Sequence, residues 1–266
     1  MTPISSAQRQ YLKKKKQNNR IVVFVRVFLF LVFLCLWEIS TALGILDSFI
    51  FSSPSRVCRT ICQMYQEHAL LPHIGVTLLE TFVSFACVLV FGLACAVLLW
   101  SFPLVSRILE PYLVVLNSLP KSALAPLLIV WLGANTRTIV VAGMSVAIFG
   151  TIISLYSGFL EIDPDKLKLI ATLGGSKWDC LTKVVLPASI PLILSVMKVN
   201  IGLCLVGVII GEFIGARQGL GYLIIYGTQV FKLDWVMMSI VILCIAAAAL
   251  YGILNLLEKN YRKKHG

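Results

Sequence analysis

Long apolar runs separated by shorter polar segments make up most of the 266-residue sequence. A helix needs about 20 predominantly apolar residues to cross the hydrocarbon of a bilayer. Six runs reach or approach that length, at 21–37, 74–100, 112–132, 138–160, 190–214 and 235–257. The pattern predicts an all-α integral membrane protein with about six transmembrane helices. An even number of crossings would place both termini on the same side.

Composition agrees with a membrane location. Hydrophobic residues make up 59% of the chain and charged residues only 13%, and the mean hydropathy is +0.92. Soluble domains carry about 25% charged residues, so this composition excludes a water-soluble fold. The chain divides into a basic N-terminal segment (1–20), a single transmembrane domain (21–257) and a basic tail (258–266).

The net charge is +11, and the distribution of the basic residues predicts how the protein is oriented in the membrane. Fifteen of the 23 Lys and Arg residues fall in the two termini and in the segments on the same side as them, and only five fall on the opposite side. Loops that stay in the cytoplasm are enriched in Lys and Arg. We therefore expect a multi-pass protein of the bacterial cell membrane with both termini in the cytoplasm. The basic residues would contact anionic lipid headgroups of the bilayer rather than nucleic acid.

The loop at 161–186 has the strongest local signals in the sequence. Asp163 and Pro164 are a typical N-cap and first helical residue, and Gly174-Gly175 is a typical helix end. Ser176, followed three residues later by an acidic residue, predicts the cap of a second short helix, which Pro187 should end. Two short helices joined at a glycine corner predict a compact docking surface on the cytoplasmic side.

This loop also resembles the EAA loop of bacterial importer permeases, whose pattern ends in G-x9-I-x-L-P. Gly174, nine residues and then Val184-x-Leu186-Pro187 match that end, whereas 168–170 reads Lys-Leu-Ile where the family has Glu-Ala-Ala. The segments 117–133 and 211–224 are similar to the corresponding parts of nitrate, sulfonate and taurine permeases. The chain is thus identified as a permease subunit of an ABC importer of that type.

The resemblance implies a fold and a set of partners. The fold would be that of a type I ABC importer permease, in which the EAA loop carries a coupling helix. The partners would be two copies of an ABC ATPase subunit holding ATP and Mg, a second permease subunit forming a homodimer, and an extracytoplasmic solute-binding protein. The cargo would be a small, anionic solute of the nitrate, sulfonate or taurine class, with a vitamin precursor or another small organic solute as the alternative. The ATPase would dock on Leu169, Ala171, Leu173, Gly174, Gly175, Ser176, Trp178, Leu186 and Pro187.

Other classes of function lack support in the residues. The sequence has no nucleotide-binding P-loop, no metalloprotease or serine-hydrolase motif and no paired metal ligands, so we expect no catalytic residues, no metal and no cofactor bound by this chain. A stand-alone secondary transporter would explain the apolar runs, but it would not need a long two-helix cytoplasmic loop.

Four ionisable residues lie in or at the ends of the apolar runs: Glu80, Lys121, Lys198 and Glu212. Charges at that depth are costly and usually face protein or a water-filled path. Lys121 follows Pro120, and broken helices near the midplane often line substrate paths. Lys121 could bind an anionic solute there, although pairing with Glu80 is the favoured interpretation. Lys198 and Glu212 are about 20 Å apart along one helix and should not pair.

Three glycines at four-residue spacing, Gly207, Gly211 and Gly215, form one smooth face of the fifth run. Such faces allow helices to approach closely. They predict a tight helix contact, either within the subunit or between two permease subunits.

Overall fold

A computed structural model describes residues 6–265, which form a bundle of long helices joined by short connections. A five-residue π-helical turn, Leu181–Val185, connects two of the helices. The helices are α1 (Ser6–Ala42), α2 (Ser48–Phe51), α3 (Pro54–Gln66), α4 (Leu70–Ser101), α5 (Pro103–Ser118), α6 (Lys121–Leu132), α7 (Thr136–Leu160), α8 (Pro164–Thr172), α9 (Lys177–Cys180), α10 (Leu186–Gly215), α11 (Leu220–Gln229) and α12 (Leu233–His265).

Five of these helical segments are long and apolar enough to cross a membrane, and α5 with α6 makes a sixth crossing that is bent by 96°. The bend lies at Leu119 and Pro120, between the two helices. Proline has no N–H to continue a helix and disfavours helical geometry in the residue before it. The predicted fold class, an all-α membrane protein with about six crossings, is therefore confirmed, and the third crossing is broken.

The long helices run between the two ends of the bundle, which we call the loop end and the far end. The loop end is where α7 stops and α8 and α9 lie, and the far end holds the α6–α7 and α10–α11 connections. α12 begins at the far end and finishes at the loop end, and its helix continues to His265 without a break at residue 258. The docking loop (161–186) lies at the loop end, and a buried acidic cluster, formed by Glu212 with Thr77 and residues 219–221 around it, lies at the far end.

The centre of the bundle is formed by α4, α7 and α10. Val88, Ala147 and Cys204, one from each of these helices, are completely buried against one another. A buried hydrogen bond of 2.7 Å from the Asn200 amide to the Thr151 hydroxyl also joins α10 to α7. α1, in contrast, leaves nearly all of its apolar side chains exposed, as expected for a helix surrounded by lipid or by another subunit.

The glycine face of α10 packs within the subunit. A Cβ at Gly207 would lie 2.8 Å from the Cα of Gly143 on α7, and one at Gly211 would lie 3.2 Å from the Cα of Ile139. Gly215 lies against Ile129 of α6. The sequence allowed a helix contact within the subunit or one between two permease subunits, and these glycines make the contact within the subunit.

One predicted boundary is wrong. Pro187 does not end the second helix of the loop, because α9, the π-helical turn and α10 form a continuous helical segment from Lys177 to Gly215. In the π-helical turn the N–H of Leu186 bonds to the carbonyl of Leu181, five residues back. A π-helical turn is wider than an α-helical one, which leaves room for the ring of Pro187 and for its missing N–H.

Candidate functional site

The corner of the docking loop is built by backbone geometry. Gly174 has φ +81°, a left-handed conformation that a residue with a side chain adopts at a cost. The N–H groups of Gly174 and Gly175 bond to the carbonyls of Ala171 (3.0 Å) and Ile170 (2.9 Å). These two bonds are those of a Schellman motif. The predicted helix end at Gly174 is therefore confirmed.

Side-chain caps hold both helices of the loop at their N-termini. The Asp163 carboxylate accepts a hydrogen bond from the N–H of Asp165 (2.9 Å). At α9, Asp179 N–H donates to the Ser176 hydroxyl (3.2 Å) and Ser176 N–H donates to the Asp179 carboxylate (2.9 Å). This reciprocal pair is a capping box, as the sequence indicated. Both helices thus begin at defined residues, and the corner between them has little freedom.

The loop presents apolar side chains to solvent. Leu173 is 76% exposed, Trp178 68% and Leu169 58%, whereas Leu181 and Val185 point inward and are buried against Leu155 and Phe159 of α7. Ser101–Val105, which spans the end of α4 and the first turn of α5, lies beside Lys177 and Trp178 and encloses a groove of about 630 Å³ with them. Exposed large apolar residues that share a surface commonly mark a protein interface.

Lys121 lies halfway along the bundle, at the break between α5 and α6. Its ammonium group donates hydrogen bonds to the backbone carbonyls of Leu116 and Asn117, which are the unsatisfied acceptors at the C-terminus of α5. The ammonium is also 5.4 Å from the ring centre of Phe149. Phe149 is 13 residues from the start of α7 and 11 from its end, so this point is about 17–20 Å from either end of that helix.

The favoured pairing of Lys121 with Glu80 is wrong. Within residues 6–265, no ion pair involves Glu80, and Lys121 satisfies its charge with carbonyls at the helix break. The two residues lie at different depths, because Glu80 lines a cavity with the α6–α7 connection at the far end. Sequence spacing could not show that the end of α5 supplies carbonyls to Lys121.

Lys198 and Glu212 also have separate partners, as the spacing predicted. Lys198 forms an ion pair with Glu258 of α12, and both side chains are largely buried there. Glu212 lies at the far end, where one carboxylate oxygen accepts a hydrogen bond from the Thr77 hydroxyl (2.6 Å) and the other from the N–H of Gly221 (2.6 Å).

The backbone after α10 wraps closely around Glu212. A Cβ at Gly219, which has φ +119°, would lie 2.4 Å from the Glu212 carboxylate, and one at Gly221 would lie 2.8 Å from it. Thr77 joins this cluster from α4, because its hydroxyl also accepts a hydrogen bond from the N–H of Leu220 (2.8 Å). The glycines at 219 and 221 are thus required by the approach of the backbone to a buried carboxylate.

Sequence reasoning missed Thr77 and His73, which hold this cluster together. The Nδ1 atom of His73 accepts a hydrogen bond from the N–H of Gly219 (3.0 Å). Both residues are polar positions near the start of the second apolar run, a signal that could have drawn attention to them. Their partners are more than 140 residues away, so spacing alone could not have connected them.

Comparison with known proteins places this architecture in a family. Residues 88–263 match the family described as binding-protein-dependent transport system inner membrane component. A probable ABC transporter permease protein of Haemophilus influenzae is 31% identical over 83% of this chain and 89% of its own length. A putative aliphatic sulfonates transport permease protein of Bacillus subtilis is 24% identical over 95% of this chain and 91% of its own.

A solved structure shares the fold. The methionine ABC transporter MetNI, in inward-facing conformations, contains a chain that superimposes with a TM-score of 0.63 at 20% identity, covering 72% of this chain and 95% of that one. At this identity the likeness concerns the fold, which is that of a type I ABC importer permease. The chain therefore belongs to the family of binding-protein-dependent transport system inner membrane components, as an ABC importer permease.

Proposed function

We propose that two copies of this chain form the membrane path of an ATP-driven importer, and that the docking loop binds an ATPase subunit on the cytoplasmic side. One ATPase subunit would bind each copy and would hold ATP and Mg, and an external binding protein would deliver the solute at the far end. The observation that carries the proposal is the capped corner at Gly174 with exposed Leu169, Leu173 and Trp178 around it. An apolar surface of this kind in a polar loop needs a protein partner.

The orientation rests on charge. The loop end contains the start of α1, the end of α12 and the basic residues of 161–186, and cytoplasmic loops are enriched in Lys and Arg. With the loop end inside, the far end opens to the side on which a binding protein would deliver its solute.

Continuity of the helix provides a way to couple the two ends. The segment Lys177–Gly215 has 39 residues, which at 1.5 Å per residue is about 58 Å. It begins at the docking loop and ends beside the acidic cluster. When two ATPase subunits close, they would displace the docking loop. Because the loop and α10 form one helical segment, this displacement would be transmitted along the helix from one side of the membrane to the other.

The proposed cargo is a small solute with an anionic group. Lys121 supports this proposal, because it places a positive charge at mid-depth in a broken helix, where solute sites of transporters are often found. The Bacillus subtilis relative named for aliphatic sulfonates is consistent with an anionic cargo. This chain would contribute the path and not the chemistry of ATP hydrolysis.

Co-purification with a co-expressed ATPase subunit tests the docking role. We expect Leu173→Glu and Trp178→Glu to reduce recovery of the ATPase at least tenfold, because each places a charge in an apolar contact. Leu43→Glu is the matched control, since Leu43 is equally exposed (70%) but lies at the far end. Unchanged recovery with both loop variants would contradict the proposal, as would an equal loss with Leu43→Glu.

A further inference from the structure

Two buried carboxyl groups, those of Glu80 and Glu212, meet at the far end of the bundle. Glu80 lies on α4 and Glu212 near the end of α10, and each residue is 1% exposed. The Glu80 carboxyl group is hydrogen-bonded to the Glu212 carboxyl group and to the Thr136 hydroxyl. A carboxylate can only accept hydrogen bonds, so a hydrogen bond between two carboxyl groups requires that one of them carries a proton. The pair therefore holds one proton.

The donors around the pair identify the carboxyl group that carries this proton. Glu212 accepts at one oxygen from the Thr77 hydroxyl (2.6 Å) and at the other from the N–H of Gly221 (2.6 Å). Donors on both oxygens favour the ionised form of a carboxyl group. Glu80 receives no such N–H donor from the described residues. Glu80 is thus the protonated member of the pair, and it donates its O–H to Glu212.

A cavity of about 230 Å³ lies beside the pair, between α4, the α6–α7 connection and the α10–α11 connection. Glu80 shares its polar lining with Asn135, Thr136, Arg217 and Gln218. Arg217 and Gln218 are exposed at the far end. A polar space of this size can hold several water molecules. Protons can therefore reach Glu80 from the solvent at the far end.

Other groups that titrate or carry charge face the pair from three elements. On α4, His73 lies two turns before Glu80 and is neutral, because its Nδ1 atom accepts a hydrogen bond from Gly219 and an imidazolium has no acceptor. On α11, Tyr222 stacks on His73, with ring centres 6.0 Å apart. On the α10–α11 connection, Arg217 forms no ion pair among the residues that the structure describes. The shared proton, and not a counter-charge, therefore keeps the two carboxyl groups from repelling each other.

Loss of this proton acts on the backbone that wraps around Glu212. Two adjacent carboxylates repel each other strongly where water is excluded. Glu212 holds the N–H of Gly221 and the Thr77 hydroxyl, which in turn holds the N–H of Leu220. We propose that the Glu80–Glu212 pair is a proton-dependent latch, which fastens the α10–α11 connection over the far end while it holds its proton and releases this connection when the proton leaves. The latch is closed at low and neutral pH and opens as the pH at the far end rises. It acts independently of ATPase docking, which concerns the opposite end of the bundle.

Hydrogen–deuterium exchange of the full chain in lipid nanodiscs tests the latch. Exchange of the amides of 216–224 is followed by mass spectrometry from pH 6.5 to pH 9.5, relative to an unstructured peptide at each pH. We expect protection of this segment to fall about tenfold or more as the pH rises, because a hydrogen bond to a charged group contributes at least that factor. Glu80→Gln should stay protected throughout, because the amide keeps a donor for Glu212 and cannot ionise.

Two further variants test which carboxyl group carries the proton. Glu212→Gln should lose protection at every pH, because an amide NH₂ then faces a donor that the carboxylate accepted. Glu161→Gln removes an exposed carboxylate at the end of α7, at the loop end, and should keep the full pH dependence.

Infrared spectroscopy of the unmodified chain gives a second measurement that needs no variant to fold. The C=O band of a protonated carboxyl group should disappear over the pH range in which protection falls. The proposal is overturned if this band is absent, if protection of the unmodified chain does not change with pH, or if Glu80→Gln keeps the same pH dependence. Loss of protection at every pH in Glu80→Gln, with Glu212→Gln protected, would overturn it as well.

Discussion

Replacing Thr77 with valine removes one hydroxyl and almost no volume, which makes it a clean test of the acidic cluster. The Thr77 hydroxyl donates to Glu212 (2.6 Å) and accepts from the N–H of Leu220 (2.8 Å), and its residue is completely buried. A hydrogen bond to a charged group contributes about 1.5–3 kcal/mol, and a buried N–H left without an acceptor costs about 1–3 kcal/mol. We therefore expect Thr77→Val to lower the free energy of unfolding by about 2.5–6 kcal/mol, the sum of these two costs.

Thr81→Val is the matched control for this change. Thr81 lies one turn further along α4 and is equally buried, but its hydroxyl bonds only to the Thr77 carbonyl of its own helix (2.7 Å). That carbonyl can keep its helical N–H donor, so Thr81→Val should cost less than about 1 kcal/mol. Reversible unfolding in dodecyl maltoside micelles titrated with SDS measures both values. Equal losses for the two variants would refute the reasoning, because the cross-helix bonds would then contribute nothing.

Three further changes test the packing, the buried ion pair and the loop corner. Gly207→Ala should destabilise the chain by about 1–3 kcal/mol, because the added methyl group overpacks the contact with α7. Gly202→Ala, on the same helix with open space around it, should be neutral or stabilising in the same unfolding assay. A larger loss for Gly202→Ala than for Gly207→Ala would contradict the close contact between α10 and α7. Lys198→Met should lower the free energy of unfolding by about 3–5 kcal/mol, because Glu258 loses its buried counter-charge. Adding Glu258→Gln to this variant should recover part of that loss in a double-mutant cycle. Purely additive effects of the two substitutions would show that the two side chains are not coupled. Gly174→Val should reduce co-purification of the ATPase subunit. Gly44→Val is equally strained, with φ +72°, but lies at the far end and should leave co-purification unchanged. Intact recovery with Gly174→Val would show that the loop corner is not needed for ATPase binding.

Local features of the docking loop were predictable because their causes are close in sequence. A left-handed glycine and a capping box each depend on residues within five positions, so Gly174 and Ser176 could be interpreted without tertiary information. The six crossings were predictable for a similar reason, since each depends only on the length of an apolar run. The proline at position 120 indicated a break in the third crossing, but the sequence did not predict the angle of the bend.

Contacts between helices were harder to predict. Lys121 was expected to pair with Glu80, but the carbonyls at the end of α5 become acceptors only once the helix is broken. Pro187 was expected to stop a helix, yet a π-helical turn just before it accommodates the ring. Thr77 received no role at all, because its partners Glu212 and Leu220 are brought to it only by the packing of α4 against the end of α10.

Photocrosslinking at the docking loop tests the central claim most directly. The full chain carrying Leu173→p-benzoylphenylalanine would be co-expressed with the ATPase subunit, irradiated in intact membranes and analysed by mass spectrometry, with Leu43→p-benzoylphenylalanine as the control at the far end. The account predicts a crosslink from position 173 to the ATPase subunit and none from position 43. A crosslink to the ATPase from position 43 with none from position 173 would contradict it, because the ATPase would then bind at the wrong end of the bundle.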